Sequence, residues 1–291
     1  MPKPSLSRPL PLALCPGLPA SAWRATGMKL SRPSSPPASS LGLPLLLSLL
    51  LLQAACVFPP PYREVPSYPV RFADIETVTL IPPQVTISAV SSGDVALEVQ
   101  EWTDAAYENA KAAVQARVEG MGKRFVPFAG SRGPRPDLRV DGGDVNARVE
   151  LTPAGESWLL FESAREAILR HTYDPTQVFP DRMKNFDYTL GEEARSMLAG
   201  TPADAFLLMI ARDSVPTTDR QALVGVGAAA ALYTGSYGGP GTTPAELTVA
   251  LVESRSGEIL WFNHVSMPLT DLRDPASSAK LVDLVLKGMS R

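Results

Sequence analysis

The apolar positions beyond residue 70 repeat first with the period of a strand and then with that of a helix. The segments Ile75–Ile81 and Val85–Val90 are rich in β-branched residues and are separated by two prolines, which predicts two strands. Between residues 98 and 122 the period becomes helical, with one stripe formed by Trp102, Ala106, Ala110, Val114, Val118 and Met121. Residues 124–128 predict a further short strand, so this half reads β-α-β.

The second half opens with helical segments and then reaches a continuous apolar run. The pattern predicts a helix over residues 145–171 with a break at Pro153, a loop over residues 173–187 and a short helix over residues 192–198. The segment Ala203–Ala211 is apolar without alternation, which is typical of a strand buried on both faces of a sheet.

The carboxyl-terminal part predicts a hairpin followed by a helix. Residues 247–252 and 259–265 read as strands, joined by a turn at Ser256-Gly257, and residues 275–289 read as an amphipathic helix. The whole pattern predicts an α/β fold in one three-layer domain, with helices flanking a mixed sheet and a hairpin plus helix at the end. An α+β arrangement is the alternative.

The stretch Ala222–Tyr233 is apolar on every side of a helix. Its Gly225-Val-Gly227 and Ala230 loosely resemble a dinucleotide fingerprint, but we expect the stretch to follow a polar loop rather than a strand end, and no acidic ribose partner is suitably placed. The pattern therefore predicts a helix that is buried, or that lies against a partner or a membrane, and it is too short to span a bilayer.

The amino-terminal segment has the parts of a secretory signal. Lys29 and Arg32 precede a short apolar run from Leu43 to Leu52, and small residues follow it. We expect residues 1–55 to be a leader without fixed structure, with Met28 as an alternative translation start.

A cysteine ends this leader at the position where a bacterial lipoprotein is acylated. The sequence Leu52-Gln53-Ala54-Ala55-Cys56 resembles a lipobox, although Gln53 departs from the usual leucine. The resemblance implies cleavage before Cys56 and attachment of acyl chains to it, which gives stable membrane anchoring. Val57 rather than aspartate follows, which favours the outer membrane, facing the periplasm. The alternative is a periplasmic protein with a free cysteine.

The residues after Cys56 are rich in proline and predict an extended tether. We assign residues 56–72 to this lipidated tether and residues 73–291 to the folded periplasmic domain.

The charge of the chain and its cysteine content exclude some classes of partner and site. The whole chain has a formal net charge of −3, and removal of residues 1–55 leaves 22 basic and 30 acidic residues, a net charge of −8. An acidic domain argues against nucleic acid as a partner. The chain has only Cys15 and Cys56, so loss of the leader leaves no pair for a disulfide or a cysteine metal site.

No catalytic pattern emerges from the titratable residues. The two histidines, His171 and His264, are not part of a recognisable nucleophile or metal motif, and a structural role is expected for both. Glu192 and Glu193 read as a solvated first helical turn. Arg132, Arg135 and Arg139 lie in a predicted loop, where a solvated role is favoured over phosphate or headgroup binding. We therefore predict no enzyme activity, no cofactor and no metal.

Several features together resemble uncharacterised proteobacterial outer-membrane lipoproteins of α/β fold. They are the lipobox at Cys56, the helix opening at Glu101-Trp102-Thr103, the buried run ending in Arg212-Asp213-Ser214, and the hairpin sequence Ser-Gly-Glu-Ile-Leu-Trp-Phe-Asn. The order of elements is also similar to the amino-terminal domain of TolB and to curli-secretion lipoproteins. The resemblance implies a fold and a location, and no residue of action.

Three functions are consistent with this resemblance. The first is a lipid-anchored binding or assembly module of the cell envelope, with a protein partner or self-association. The second is an oligomeric secretion-pore subunit, in which Ala222–Tyr233 packs between protomers or inserts. The third is a cell-wall hydrolase, which would require a pocket joining a histidine to carboxylates.

Overall fold

The computed structural model describes residues 60–130, 152–235 and 243–290 of the chain. Its sheet is built around strand β6 (Ala205–Pro216), which is paired on both edges. Every residue from Ala205 to Ala211 is buried, as the continuous apolar run predicts for an interior strand covered on both faces. The hydrophobic core therefore lies on both sides of β6.

Within the described residues, eight strands form one mixed sheet. Its main path runs β1-β8-β7-β6-β2-β5, while β3 pairs with β6 and with β4. The pairs β2–β6, β3–β6 and β2–β5 are parallel, and the others are antiparallel. The other strands are β1 (Tyr62–Glu64), β2 (Thr77–Leu80), β3 (Gln84–Val90), β4 (Ala96–Glu98), β5 (Arg124–Phe125), β7 (Ala245–Glu253) and β8 (Ile259–Met267).

Strands β2 and β3 lie end to end along a single edge of β6. Val78 is paired with Ala205 near the start of β6, and Val90 is paired with Pro216 at its end. Pro82 and Pro83 separate the two strands because proline has no N–H to donate to a ladder. The twelve-residue length of β6 is therefore matched by two shorter strands.

Helices cover both faces of the sheet. They are α1 (Tyr68–Asp74), α2 (Gln100–Gly120), α3 (Pro153–Ile168), α4 (Pro180–Lys184), α5 (Thr218–Thr234) and α6 (Pro275–Val285). A π-helical turn (Leu169–Tyr173) continues α3, and a 3-10 helix (Glu192–Leu198) precedes β6.

Alternation along β8 shows which helices share a face. The Asn263 amide donates to the Val285 carbonyl of α6 at 2.6 Å, whereas the rings of Phe262 and His264 contact Tyr173 beyond α3. Successive strand residues point to opposite faces, so α6 and the α3 segment lie on opposite sides. Helix α2 packs against α6. The fold is α/β, with an open mixed sheet flanked by helices, as the sequence predicts.

The folded domain begins earlier than the sequence analysis places it. The sequence predicts a tether over residues 56–72, but residues 62–72 contribute strand β1 and the start of helix α1. Tyr62 is paired with Asn263, and Tyr68 and Phe72 are buried in the core. The prolines of this segment predict an extended tether, but its aromatic side chains pack into the core and fix it there.

Two further elements escaped the sequence analysis. Strand β4 is only three residues long and exposed, and helix α4 is five residues long within the predicted loop over residues 173–187. Elements of this length are too short to show a period. The predicted helix over residues 145–171 begins at Pro153 in the described region, and residues 145–151 lie outside it.

The β7–β8 hairpin turn is held by a neighbouring loop. Gly257 has a φ of 68°, and its carbonyl accepts a hydrogen bond from the Leu190 amide at 2.8 Å. A Cβ atom at Gly257 would lie 1.9 Å from the Gly191 carbonyl oxygen. Only glycine therefore fits the predicted turn, because both the backbone angle and the space exclude a side chain.

Gly257→Ala should lower the free energy of unfolding by at least about 2 kcal/mol, measured by urea denaturation, because it adds left-handed strain and a backbone collision. The matched control is Gly225→Ala in helix α5, where a Cβ meets no atom within 4 Å. That change should be neutral or stabilise by up to about 1 kcal/mol. Equal effects of the two substitutions would contradict the close packing of this turn.

Candidate functional site

Three strands of the sheet end on the same side. Strands β3 and β6 are parallel, and β8 runs in the same direction because β7 is antiparallel to both β6 and β8. A cleft of about 240 Å³ opens there, lined by residues from the ends of β3 and β6, helix α5 and the loop over residues 269–273. Carboxyl ends of strands in α/β sheets are a common position for ligand sites.

A buried carboxylate fixes the floor of this cleft. The Asp213 Oδ1 atom accepts from the Ser214 amide at 2.8 Å, and Oδ2 accepts from the Leu272 amide at 3.1 Å. Burial raises the pKa of the Asp213 carboxyl above its usual value, and the nearby charge of Asp271 adds to the effect. Asp213 therefore ties the loop after β8 to the end of β6.

The same loop is attached to helix α2. Arg273 donates to both carboxylate oxygens of Asp271, at 2.9 and 2.8 Å, and its guanidinium lies 4.3 Å from the centre of the Trp102 ring. The Asn109 amide donates to the Arg273 carbonyl at 2.9 Å. These contacts hold the loop in place, and the arginine charge is already matched by its carboxylate partner.

The fixed loop presents an apolar side chain to solvent. Leu269 has a φ of 57° and is 95% exposed. A left-handed backbone at a bulky residue persists only where the surroundings hold it. The exposure of Leu269 is therefore a consequence of how the loop is fixed.

The first residues of helix α5 attach it to the β3–β4 turn. Arg220 forms an ion pair with Asp94 and donates to the Ser91 carbonyl at 3.1 Å. The Asp219 carboxylate accepts from the Ser92 amide at 3.0 Å. Hydrogen bonds from the Thr217 hydroxyl and from Ser92 lower the pKa of Asp219 below its usual value. The charged residues of α5 thus secure its base.

Beyond this base, helix α5 is apolar and largely exposed. Leu232 is 87% exposed and Val226 is 67% exposed, and most of the alanines between them are exposed too. Of the three environments that the sequence allows for Ala222–Tyr233, burial in the core is therefore wrong. The pattern of apolar residues predicts a helix that is apolar on all sides, but it does not predict whether that helix is buried or exposed in the fold.

The two glycines do not lie where a dinucleotide fingerprint requires them, although one premise of the sequence analysis needs correction. Strand β6 continues to Pro216, and α5 begins at Thr218, so the helix does follow a strand end. Gly225 and Gly227 lie inside the helix rather than in the strand-to-helix turn. A phosphate-binding fingerprint requires its glycines in that turn.

Exposed large hydrophobic residues concentrate at this end of the sheet. Ten such residues occur in the described part of the chain, and six of them belong to α5, the β3–β4 hairpin or the loop after β8. We call this set the sheet-end surface, and it comprises Val95, Leu97, Leu223, Val226, Leu232 and Leu269. Exposed large hydrophobic residues gathered at one end of a folded protein favour an interaction site there.

His171 and His264, for which the sequence predicts a structural role, do not line the cleft. The His264 Nδ1 atom is 2.9 Å from the Thr248 hydroxyl, and burial lowers the pKa of this histidine. Thr248 is itself buried in the sheet, where a substrate cannot reach its hydroxyl. His171 packs against the ring of Phe179 with 4.7 Å between ring centres. Both contacts are typical of structural histidines.

None of the other candidate site residues from the sequence analysis lines the cleft in the described part of the chain. Cys56 and the loop arginines Arg132, Arg135 and Arg139 lie outside the described residues. Glu192 and Glu193 are exposed in the first turn of their 3-10 helix, as the sequence predicts.

Within residues 60–130, 152–235 and 243–290, no group of three or more histidine, cysteine, aspartate or glutamate residues could hold a metal ion. Over the same ranges, no helix has the length and apolarity to cross a membrane.

Comparison with protein-family models, with curated proteins and with solved structures finds no match to the chain.

Asp213 and Asp219 should affect stability with opposite pH dependence. The folded state holds the Asp213 proton more tightly than the unfolded state, so wild type should lose stability relative to Asp213→Asn as pH rises from the ordinary aspartate pKa of about 4 towards the higher folded value. The folded state holds the Asp219 proton less tightly, so wild type should lose stability relative to Asp219→Asn as pH falls below about 4. Urea denaturation of the three proteins from pH 3 to 7 measures both trends, and slopes of the same sign would refute these environments.

Proposed function

We propose that the chain is a lipid-anchored protein of the bacterial cell envelope, acting as a binding or assembly module through its sheet-end surface. Acyl chains on Cys56 provide the anchor, and the α/β domain provides the surface. The proposed location is the outer membrane, facing the periplasm. The observation that carries the proposal is the exposed apolar helix α5.

The position of α5 in the sequence supports a role in an interaction, because the helix is not needed to form the sheet. Strands β6 and β7 are direct neighbours, with Arg212 paired to Glu246. A hairpin of a few residues would connect such strands. Instead, residues 217–244 intervene and include a helix of 17 residues. The fold does not require this insertion to complete its sheet.

The composition of α5 also argues against a purely structural role. Burying a leucine or valine side chain stabilises a fold by about 1.5–3 kcal/mol, and the exposed side chains of α5 forgo that gain. Residues 221–244 include no aspartate, glutamate, lysine, arginine or histidine that would keep this segment soluble. An apolar partner that covers the helix accounts for both features.

A secretion-pore-like subunit is the second candidate function. Gly225, Gly227 and the alanines from Ala228 to Ala231 are small enough to let two helices approach closely. In such an assembly α5 would pack between protomers. Analytical ultracentrifugation of the acylated protein in detergent distinguishes the two, since a pore subunit forms a ring of defined mass and an anchored module does not require one.

A cell-wall hydrolase is less well supported. It would need a pocket that joins a histidine to carboxylates, and the cleft described above contains carboxylates without either histidine. The carboxylates of the cleft accept backbone amides or pair with arginine, so their hydrogen bonds serve to hold loops.

The anchor is tested by labelling growing cells with a palmitate analogue. The wild-type protein should take up the label, and Cys56→Ser should reduce it to background because the acyl-accepting thiol is lost. The matched control is Cys15→Ser, which removes the other cysteine of the chain and should leave labelling unchanged.

Two results would overturn the anchoring proposal. One is a wild-type protein that takes up no label. The other is a Cys56→Ser protein that is labelled as strongly as wild type.

A further inference from the structure

We infer that the sheet-end surface rests against the lipid bilayer and that helix α5 inserts its apolar residues into one leaflet, beside the acyl chains on Cys56. This inference deepens the proposed function and rests on its lipid anchor. In this arrangement the bilayer covers the exposed helix, and the end of the domain that carries α5 faces the membrane.

The distribution of side chains around α5 favours a bilayer over a second copy of the chain. Leu223 and Leu232 are nine residues apart, which places them on opposite sides of a helix with 3.6 residues per turn. Both are exposed. A helix from a second copy would cover one side only, whereas lipid surrounds the helix. Helices that are apolar all round occur in cores or in membranes, and α5 is not in the core.

The direction of strand β1 brings the anchor to this same end of the sheet. Strand β1 is antiparallel to β8, so the chain enters β1 from the side where β8 ends at Met267. Pro60 is tied to the domain there, since Arg63 donates to its carbonyl at 2.8 Å. Residues 56 to 60 cannot span more than about 14 Å. The acyl chains therefore hold the bilayer close to the end of the sheet that carries α5.

The opposite end of the sheet is charged. Helix α1 and the β7–β8 turn meet there through Arg71, which forms an ion pair with Glu253 at 2.7 Å and another with Glu258. Val70 of α1 is a large hydrophobic residue exposed at that end. Both ends of the sheet carry ion pairs, so the end that carries α5 is distinguished by its exposed large hydrophobic residues, which are six of the ten in the described part of the chain.

The length of α5 sets how deeply it enters. Residues 222–234 form about 20 Å of helix, against a hydrocarbon core of about 30 Å. Backbone groups within a helix are hydrogen-bonded internally, and the Gly235 amide closes the last turn on the Ala231 carbonyl at 2.8 Å. The helix is therefore suited to one leaflet. Leu269, Val95 and Leu97 lie beside its base and contact the interface.

The test compares two valines of equal exposure at opposite ends of the sheet. Val226→Cys and Val70→Cys place a thiol at side chains that are 67% and 70% exposed. Each acylated full-length protein is labelled with the fluorophore NBD and reconstituted into vesicles of phosphatidylethanolamine and phosphatidylglycerol. Some of these lipids carry a nitroxide quencher on the acyl chain. The label at position 226 should lose most of its fluorescence, severalfold more than the label at position 70.

Two results would overturn the inference. Quenching at position 226 that is no greater than at position 70 would show that the sheet end is not the membrane-facing end. A label at position 226 that is unquenched but blue-shifted would show that a second copy or another protein covers α5. Circular dichroism of both variants checks that the fold is intact.

Failure of the anchor is distinguishable from failure of this inference. If Cys56 takes up no palmitate analogue while NBD at position 226 of the Cys56→Ser protein is still quenched by added vesicles, the anchor is wrong and the membrane surface stands. If palmitate is incorporated and position 226 is not quenched, the anchor stands and the membrane surface is wrong.

Discussion

The pairing of strand β6 on both edges is the constraint on which the rest of the structure depends. Its first seven residues are buried, and pairing on both edges satisfies their backbone hydrogen bonds away from water. Strands β2 and β3 occupy one edge in parallel, which requires the α2 and α3 crossovers that cover the two faces. Strand β7 occupies the other edge and brings β8 and β1 with it. The direction of β6 then decides where α5, the cleft and the incoming chain are placed.

The main elements of the fold could be predicted from sequence because each has a clear period or a clear turn. The α2 stripe, the β6 run and the Ser256-Gly257 turn all appear in the structure as the pattern indicates. The start of the domain was missed because the prolines around Tyr62 and Tyr68 suggested an extended tether. The pairing of β1 with β8 is set by a strand some 200 residues away, and local composition cannot show it.

The candidate site was only partly visible in the sequence. The apolar character of α5 was evident, but its exposure depends on tertiary contacts that a helical period does not report. Arg220 and Arg273 belong to no motif, and the resemblance that includes Asp213 assigns it no role. All three serve loops that come together only when β3, β6 and β8 end side by side. The left-handed backbone at Leu269, a residue that rarely adopts it, was also unpredictable.

The charged groups at this end of the sheet and the apolar groups beyond them have separate roles. Backbone amides donate to the carboxylates of Asp213 and Asp219, and ion pairs with nearby aspartates hold Arg220 and Arg273. These contacts keep the base of α5 and the loop after β8 in place. The leucines and valines beyond them are thereby displayed on a rigid support. A surface of this kind favours association by apolar burial, with no need for attraction to anionic groups.

Hydrogen exchange measured by mass spectrometry, with and without membranes, tests the central claim most directly. The acylated protein in vesicles is compared with the Cys56→Ser protein in solution. Membrane contact at the sheet end predicts that exchange slows in residues 222–234 and in the neighbouring segments 91–97 and 268–272, while the β7–β8 turn exchanges at the same rate in both. Unchanged exchange in α5, or slowing at the β7–β8 turn instead, would contradict the account.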